Sequence, residues 1–254
     1  MAQKAAKVTP ADAFEEELKA IRLERRLDQH PFMRKLLAGE LTEEQLKVGA
    51  IQFYFHTIGF TNALAHLISR CKIPQLRMGI AEGLYEEETG AITKTKPHLE
   101  LYYDYLESWG ISREYVHQHG YMLPGTSALV NWYMYATMLL DPLVGVAVLT
   151  VGAEGQNVTL PNSPGASALM AKGLMEHYGK SKEEAAFFII HDAADQEHSS
   201  TGVRLLTQFT KTEEQKEMAR AAIYMTQDGF REFIGVPLHY SLEDSTRYNS
   251  ALFY

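Results

Sequence analysis

The residues best suited to chemistry lie in one short stretch, HDAADQEH, at positions 191–198. On an α-helix, His191, Asp195 and His198 occupy positions i, i+4 and i+7, which share one face. The rise from His191 to His198 is about 10 Å, so two metal ions about 4 Å apart fit this spread better than one ion does. The spacing predicts half of a dinuclear metal site, although such a face is also often simply solvated.

The residues before this stretch favour the metal interpretation. The apolar run AAFFII at 185–190 directly precedes His191 and reads as the buried face of a helix. Buried charges need partners, and a metal ion is a common one. We therefore expect the histidines and Asp195 to point inward.

A dinuclear site needs ligands from other helices, and the segment 84–106 offers them. Glu87 and His98 are eleven positions apart, which is three helical turns if one helix continues. Gly90 and Pro97 indicate a local distortion instead, which could also bring the two residues together. Glu86 and Glu88 are alternatives to Glu87.

The third source of ligands is Glu154, the only ionisable residue between Asp141 and Lys172. A lone carboxylate in a buried helix is costly unless it is paired or coordinated. Three histidines and three carboxylates with open positions suit non-haem iron or manganese better than structural zinc.

The hydrophobic pattern that must position these residues is helical nearly throughout. Thr42 and Gln45 form a predicted capping box, Ser181 and Glu184 another. Helices are predicted over 10–27, 42–70, 126–140, 142–160, 165–178, 182–209 and 212–234, and a short helix is predicted to end at Gly39. A further helix is predicted from Ile73 past Glu88; after the distortion between Gly90 and Pro97 it resumes through Trp109. No alternating strand is evident. We predict one all-α domain over 1–254, a bundle of about seven helices with its core at 30–235 and an irregular tail at 236–254.

Composition excludes several classes of function. The net charge of −8 and the pI near 5.7 argue against nucleic-acid and anionic-membrane partners. The apolar segment 128–153 is split by Asp141-Pro142 into pieces shorter than the ~20 residues of a membrane span. A single cysteine, Cys71, fits a cytoplasmic location. The apolar stretch 121–140 predicts a homodimer.

Several motifs together resemble a known family. They are HPF (30–32), GELTEEQL (39–46), FYFH (53–56), LYEEETG (84–90), PHLELY (97–102) and HDAADQEH. With them the chain resembles the haem-oxygenase-like domain oxidases and oxygenases, non-haem diiron enzymes related to the pyrroloquinoline quinone biosynthesis protein C and to TenA-like proteins. The resemblance implies a haem-oxygenase-like bundle with two irons. The implied ligands are Glu87, His98, Glu154, His191, Asp195 and His198, with Glu87 aligning best in its acidic triplet.

The resemblance also implies an activity. Two ferrous ions would activate O2 to oxidise a small amino-acid-, amine- or fatty-acid-like metabolite by N-oxygenation, desaturation or oxidative C–C cleavage, with an external electron donor where one is needed. The candidate pocket residues are Tyr54, His56, Tyr85 and Trp132. The alternatives are a metal-free oxidase on the same scaffold and a non-enzymatic, metal-binding interaction protein.

One branch of this family departs from the present sequence. Its members consume a tyrosine and a lysine of their own to make para-aminobenzoate. The tyrosine position corresponds here to Met33, and the lysine position falls near Met170. We therefore do not expect that self-consuming activity from this chain.

Overall fold

Helices account for almost all regular structure in this protein. The computed structural model describes residues 10–160 and 162–246, without the side chains of residues 10, 12 and 193–197. Within these ranges the chain forms eleven α-helices, and the only extended pairing is an isolated bridge between Leu160 and Ser163. The prediction of an all-α fold is confirmed, with more helices than the seven expected because several are short.

The helices follow one another in this order along the chain. They are α1 (Pro10–Ile21), α2 (Pro31–Ala38), α3 (Glu43–Arg70), α4 (Pro74–Thr89), α5 (His98–Ser108), α6 (Arg113–His119), α7 (Pro124–Leu139), α8 (Pro142–Val146), α9 (Ala166–His177), α10 (Ala186–Phe209) and α11 (Glu213–Gly235). A π-helical segment, Ala147–Ala153, and a 3₁₀ turn, Glu154–Asn157, extend α8.

Local sequence signals explain where the main helices begin. The side chain of Thr42 accepts a hydrogen bond from the Gln45 amide at 3.2 Å, and the Gln45 side chain accepts one from the Thr42 amide at 3.0 Å. This confirms the predicted capping box of α3, which satisfies two otherwise unpaired amides. Proline occupies the first turn of α2, α4, α7 and α8, where its missing N–H costs nothing.

The structure differs from the sequence-based prediction at several points. Helix α1 ends at Ile21 rather than at 27, because the chain turns there and Arg26 donates to the carbonyls of Val158 and Ser163. Residues 182–185 form a turn before α10, although Ser181 and Glu184 make the predicted capping hydrogen bonds. Helix α6 was not predicted, since its seven residues are too few for a clear periodicity.

The segment predicted as one helix over 142–160 is the most irregular part of the bundle. Its hydrogen bonding changes from α-helical to π-helical at Ala147 and to 3₁₀ at Glu154. A π-helical segment inserts extra backbone into a helix and is often found at functional sites. Here it ends next to Glu154, one of the predicted ligands.

Helix α3 lies at the centre of the bundle and packs against α4, α5 and α7. Helices α10 and α11 both pack against the π-helical segment. One continuous cluster of buried apolar side chains extends from Phe14 to Ile234. This packing places the inner faces of α4, α5, α10 and the π-helical segment around a common centre.

Two sequence-based expectations concern the molecular surface. Among the described residues, every helix is too short or too polar to cross a membrane. Helix α7 presents Tyr135, Met138 and Leu139 to solvent, within the stretch that suggested a homodimer. The homodimer stays a prediction.

Candidate metal centre

Glu87 and His98 meet because the chain breaks between α4 and α5. Gly90 ends α4 with a φ of 62°, and a Cβ at this position would lie 2.3 Å from the Lys96 carbonyl oxygen, so only glycine fits. The turn brings His98, the first residue of α5, back to the last turn of α4. His98 Nδ1 lies 3.0 Å from Glu87 Oε2. Of the two arrangements left open by the sequence, the local distortion is the observed one.

His191 completes a cluster of three buried groups. Its Nε2 lies 3.7 Å from Glu87 Oε1, and its ring centroid lies 4.6 Å from that of His98. Its Nδ1 lies 2.7 Å from the Phe187 carbonyl oxygen, which fixes Nδ1 as the donor and leaves Nε2 facing the cluster. One potential ligand atom from each of Glu87, His98 and His191 lies within 4.8 Å of the others.

The neighbouring glutamates have different environments. Glu86 Oε2 accepts a hydrogen bond from the Ile92 amide at 2.7 Å, and Oε1 accepts from both the amide and the hydroxyl of Thr93. Glu86 Oε1 also lies 3.4 Å from His98 Nε2, on the side of the ring opposite Glu87. Glu88 is exposed. Glu86 thus anchors the α4–α5 loop behind His98, while Glu87 faces the cluster.

The charge of Glu87 is set by its two imidazole neighbours. Burial raises the pKa of the Glu87 carboxyl, but the imidazoles of His191 and His98 beside its two oxygens outweigh burial and hold the pKa well below its usual range. A carboxylate that stays ionised in the protein interior is an effective ligand for a cation.

Glu154 and His198 form a second group nearby. His198 Nδ1 lies 3.3 Å from Glu154 Oε1, and both side chains are largely buried. Glu154 follows the π-helical segment and lines the same cavity as Glu87 and His191. Asp195 belongs to α10, but its side chain lies outside the described part of the structure, so its role as a ligand stays a prediction.

An aromatic cavity adjoins these residues. His56 lies in its wall, with Nε2 3.2 Å from the Tyr133 hydroxyl, and burial lowers its pKa to about 3. The remaining walls include four phenylalanines that the sequence-based prediction did not select: Phe53, Phe60, Phe187 and Phe230. The spacing of Phe53, His56 and Phe60 at i, i+3 and i+7 on α3 is the sequence signal that could have found this face.

The three other predicted pocket residues lie elsewhere. Tyr54 is buried on another face of α3, with its hydroxyl 3.5 Å from that of Tyr103. Tyr85 is 56% exposed, because α4 turns it to solvent. Trp132 packs between α7 and α11, where its Nε1 donates to Thr226 Oγ1 at 2.8 Å. These three residues are absent from the described walls of the aromatic cavity.

The donor set fits iron. Both ring nitrogens of His98 are buried and lack a well-oriented hydrogen bond among the described residues, although carboxylate oxygens lie on both sides. Buried polar atoms are nearly always satisfied, and a coordinated cation would satisfy Nδ1 while Glu86 supports Nε2 from behind. Imidazole and carboxylate ligands together are typical of non-haem iron.

Comparison with known proteins places this geometry in a family context. A protein of Chlamydia muridarum named 4-aminobenzoate synthase is 26% identical over 225 residues, which cover 86% of this chain and 90% of that protein. The pyrroloquinoline-quinone synthase of Rhizobium rhizogenes is 27% identical over 178 residues, covering 70% of this chain and 68% of that protein.

Solved structures agree on the fold. A Shewanella denitrificans domain with a heme oxygenase-like fold superposes with a TM-score of 0.71 at 17% identity, covering 91% of this chain and 93% of that one. A TenA homologue from Pseudomonas syringae also gives 0.71, at 12% identity, covering 94% and 99%. The predicted haem-oxygenase-like fold is therefore confirmed. Residues 49–229 match the profile of the iron-containing redox enzymes, and the chain belongs to this haem-oxygenase-like family.

Proposed function

We propose that this protein is an O2-dependent, non-haem diiron oxidase or oxygenase that acts on a small metabolite. The observation that carries the proposal is the convergence of Glu87, His98 and His191, whose ligand atoms lie within 4.8 Å of one another in the protein interior. His198 lies on α10 together with His191, and its pair with Glu154 offers a second set of ligands.

The residues divide naturally between two metal positions. Glu87, His98 and His191 would hold one iron; Glu154 and His198, with Asp195 as proposed, would hold the other. Iron bound here would supply the electrons that reduce O2, and manganese in one position is compatible with the same ligands. An external electron donor would restore the ferrous state in reactions that need one.

The surrounding side chains prepare the site for oxidation chemistry. Phe53, Phe60 and Phe187 give the cavity apolar walls, which exclude bulk water from the reacting groups. The Phe187 carbonyl holds the His191 ring in one orientation. His56 stays neutral near pH 7 because its pKa is lowered to about 3, so it adds no positive charge beside the proposed irons.

The names of the relatives do not fix the substrate. We do not carry the product 4-aminobenzoate over to this chain, because Met33 stands at the position of the tyrosine that the self-consuming enzymes use. Met170 lies near the position of their lysine. Both methionines are buried and carry no phenol or amine. Amino acids, amines and fatty acids are the substrate classes to be tested first.

Oxygen consumption by the iron-loaded protein tests the proposal. Protein loaded anaerobically with ferrous iron should consume O2, and a subset of an amino-acid, amine and fatty-acid panel should accelerate this consumption and be oxidised in turn. His191→Ala should lose the accelerated phase, whereas His119→Ala, an exposed histidine on α6, should retain it.

Two outcomes would favour the rival functions. Oxidation of a substrate by rigorously iron-free protein would support a metal-free oxidase. Iron binding with O2 uptake that no substrate accelerates would support a metal-binding protein without oxidase activity.

A further inference from the structure

A second opening reaches the candidate metal centre from the side of Glu154 and His198. It is a groove between α4 and α10, referred to below as the α4–α10 groove. Leu64, Ile80 and Leu205 are buried in its walls, and Ile92 lies at a more exposed position. Glu154, on its inner side, is buried, whereas Glu82, on its outer side, is exposed.

Both long walls of the groove are helix faces that end in candidate ligands. On α4, Gly79, Gly83 and Glu87 are spaced four residues apart and therefore share one face. On α10, Thr201 and Leu205 lie one and two turns beyond His198 on a common face. A molecule lying along the groove would thus have its inner end at the proposed irons.

Two glycines set the width of the groove. A Cβ placed on Gly83 would meet nothing within 4 Å, so this position borders open space. A Cβ on Gly79 would meet Leu205 Cδ1 at 3.0 Å, so α4 and α10 approach closely there. Glycine weakens a helix interior relative to alanine, and two glycines on one face of α4 keep this space open at that cost.

The walls of the groove are suited to an aliphatic chain. Its two threonine hydroxyls are engaged within the protein: Thr150 donates to the Val146 carbonyl at 2.8 Å, and Thr201 accepts from Arg204 at 3.1 Å. The exposed carboxylate of Glu82 lies at the outer end, and no lysine or arginine occurs among the described residues that line the groove. An anionic terminus at the outer end would be repelled by Glu82.

We infer that the α4–α10 groove binds the aliphatic part of the substrate and that Glu82 favours a substrate whose outer end is an amine. The statement that the molecule in the groove is the substrate rests on the proposed function. Binding of a ligand in the groove and uptake of iron are separate measurements, so the two proposals can be tested apart.

Binding of simple aliphatic probes tests the inference. Calorimetric titration of protein that has been incubated anaerobically with ferrous iron and freed of excess metal should give the order hexylamine, hexanol, hexanoate from tightest to weakest. Butylamine should bind about fifteen-fold more weakly than hexylamine, because it lacks two methylenes and each buried methylene contributes about 0.8 kcal/mol, or about four-fold. Equal binding of butylamine and hexylamine, or a preference for hexanoate, would contradict the inference.

Two variants separate the groove from the rest of the molecule. Gly83→Leu should fill the groove and abolish binding of all three probes, whereas Gln75→Leu, at an exposed position of the same helix, should bind them normally. Glu82→Gln should reduce the preference for hexylamine over hexanoate by about three-fold, which is the size expected for a partly solvated ion pair. The control variant Glu217→Gln should leave this preference unchanged. Unchanged hexylamine binding by folded Gly83→Leu would overturn the inference.

Iron loading of the same samples keeps the two proposals distinguishable. If wild-type protein binds the probes in the expected order but takes up no iron, the proposed function fails and the groove stands. If wild-type protein takes up iron and Gly83→Leu binds hexylamine unchanged, the groove assignment fails and the proposed function stands.

Discussion

His98 Nδ1 lies 3.0 Å from Glu87 Oε2, across the break between α4 and α5. The contact depends on Gly90, whose left-handed conformation reverses the chain within the loop. The adjacent Glu86 lies behind the same imidazole and binds the loop amides of Ile92 and Thr93. Two neighbouring glutamates therefore have different roles, one facing the proposed iron and the other holding its ligand in place.

The first prediction ranks Glu86, Glu87 and Glu88 by their contribution to ferrous iron binding. Glu87→Gln should remove a ligand and abolish tight ferrous binding at its position. Glu86→Gln should weaken binding by about ten-fold, because it removes support behind a ligand rather than the ligand itself. Glu88→Gln should resemble wild type, since this side chain is exposed. Anaerobic ferrous titration measures all three; equal effects of the Glu86 and Glu87 variants would refute the division of roles.

The second prediction concerns the contact between α10 and the π-helical segment. A Cβ on Gly202 would lie 1.9 Å from Thr150 Oγ1, so Gly202→Ala must displace α10, which carries His198. We expect a loss of about 1–3 kcal/mol in the free energy of unfolding, together with weaker iron binding.

Gly83→Ala is the matched control, because it places the same methyl group in open space on α4. It should increase the free energy of unfolding by about 0.5–1 kcal/mol, through the better helix propensity of alanine. Urea unfolding of the two variants measures the difference. A neutral Gly202→Ala would mean that α10 and the π-helical segment are not tightly coupled.

The third prediction concerns stability at acidic pH. His30 caps α2, its Nδ1 accepting from the Phe32 amide at 3.2 Å. Burial, with the charges of Arg231 and His239, lowers its pKa to about 4 from 6.5. At pH values between these two pKa values, His30 binds a proton in the unfolded chain but not in the folded chain. Stability is therefore lost as the pH falls through this window.

His30→Asn should keep the cap and remove this dependence. Between pH 7 and pH 4, the free energy of unfolding should decrease less in the variant than in wild type, by about 1–2 kcal/mol. This value is smaller than the full pKa shift would give, because solvent has partial access to the His30 ring. Urea unfolding at the two pH values provides the test, with His119→Asn as control. Identical pH profiles for wild type and His30→Asn would show that His30 is not responsible.

The sequence allowed the fold and much of the site to be predicted, because both depend on strong local signals. The capping residues Thr42 and Gln45 start α3 as expected, and helical spacing placed His191 and His198 on one helix. The lone carboxylate of Glu154 was informative because a buried charge needs a partner.

Other features could not be predicted because they depend on packing between distant segments. The π-helical segment before Glu154 forms where α8 packs between α10 and α11, which no local pattern encodes. Their aromatic character predicts Tyr85 and Trp132 as pocket residues, but the rotation of their helices turns them away from the cavity. Glu86 and Glu87 could be separated only once the position of His98 was known.

The number of irons per chain tests the central claim most directly. Anaerobic titration with ferrous iron, followed by removal of excess metal and elemental analysis, should give close to two irons per wild-type chain. His198→Ala, which removes a ligand from the second position, should retain less iron than wild type, and His119→Ala should match wild type. Wild-type protein that binds no iron, or a His198→Ala variant that retains two, would contradict the diiron account.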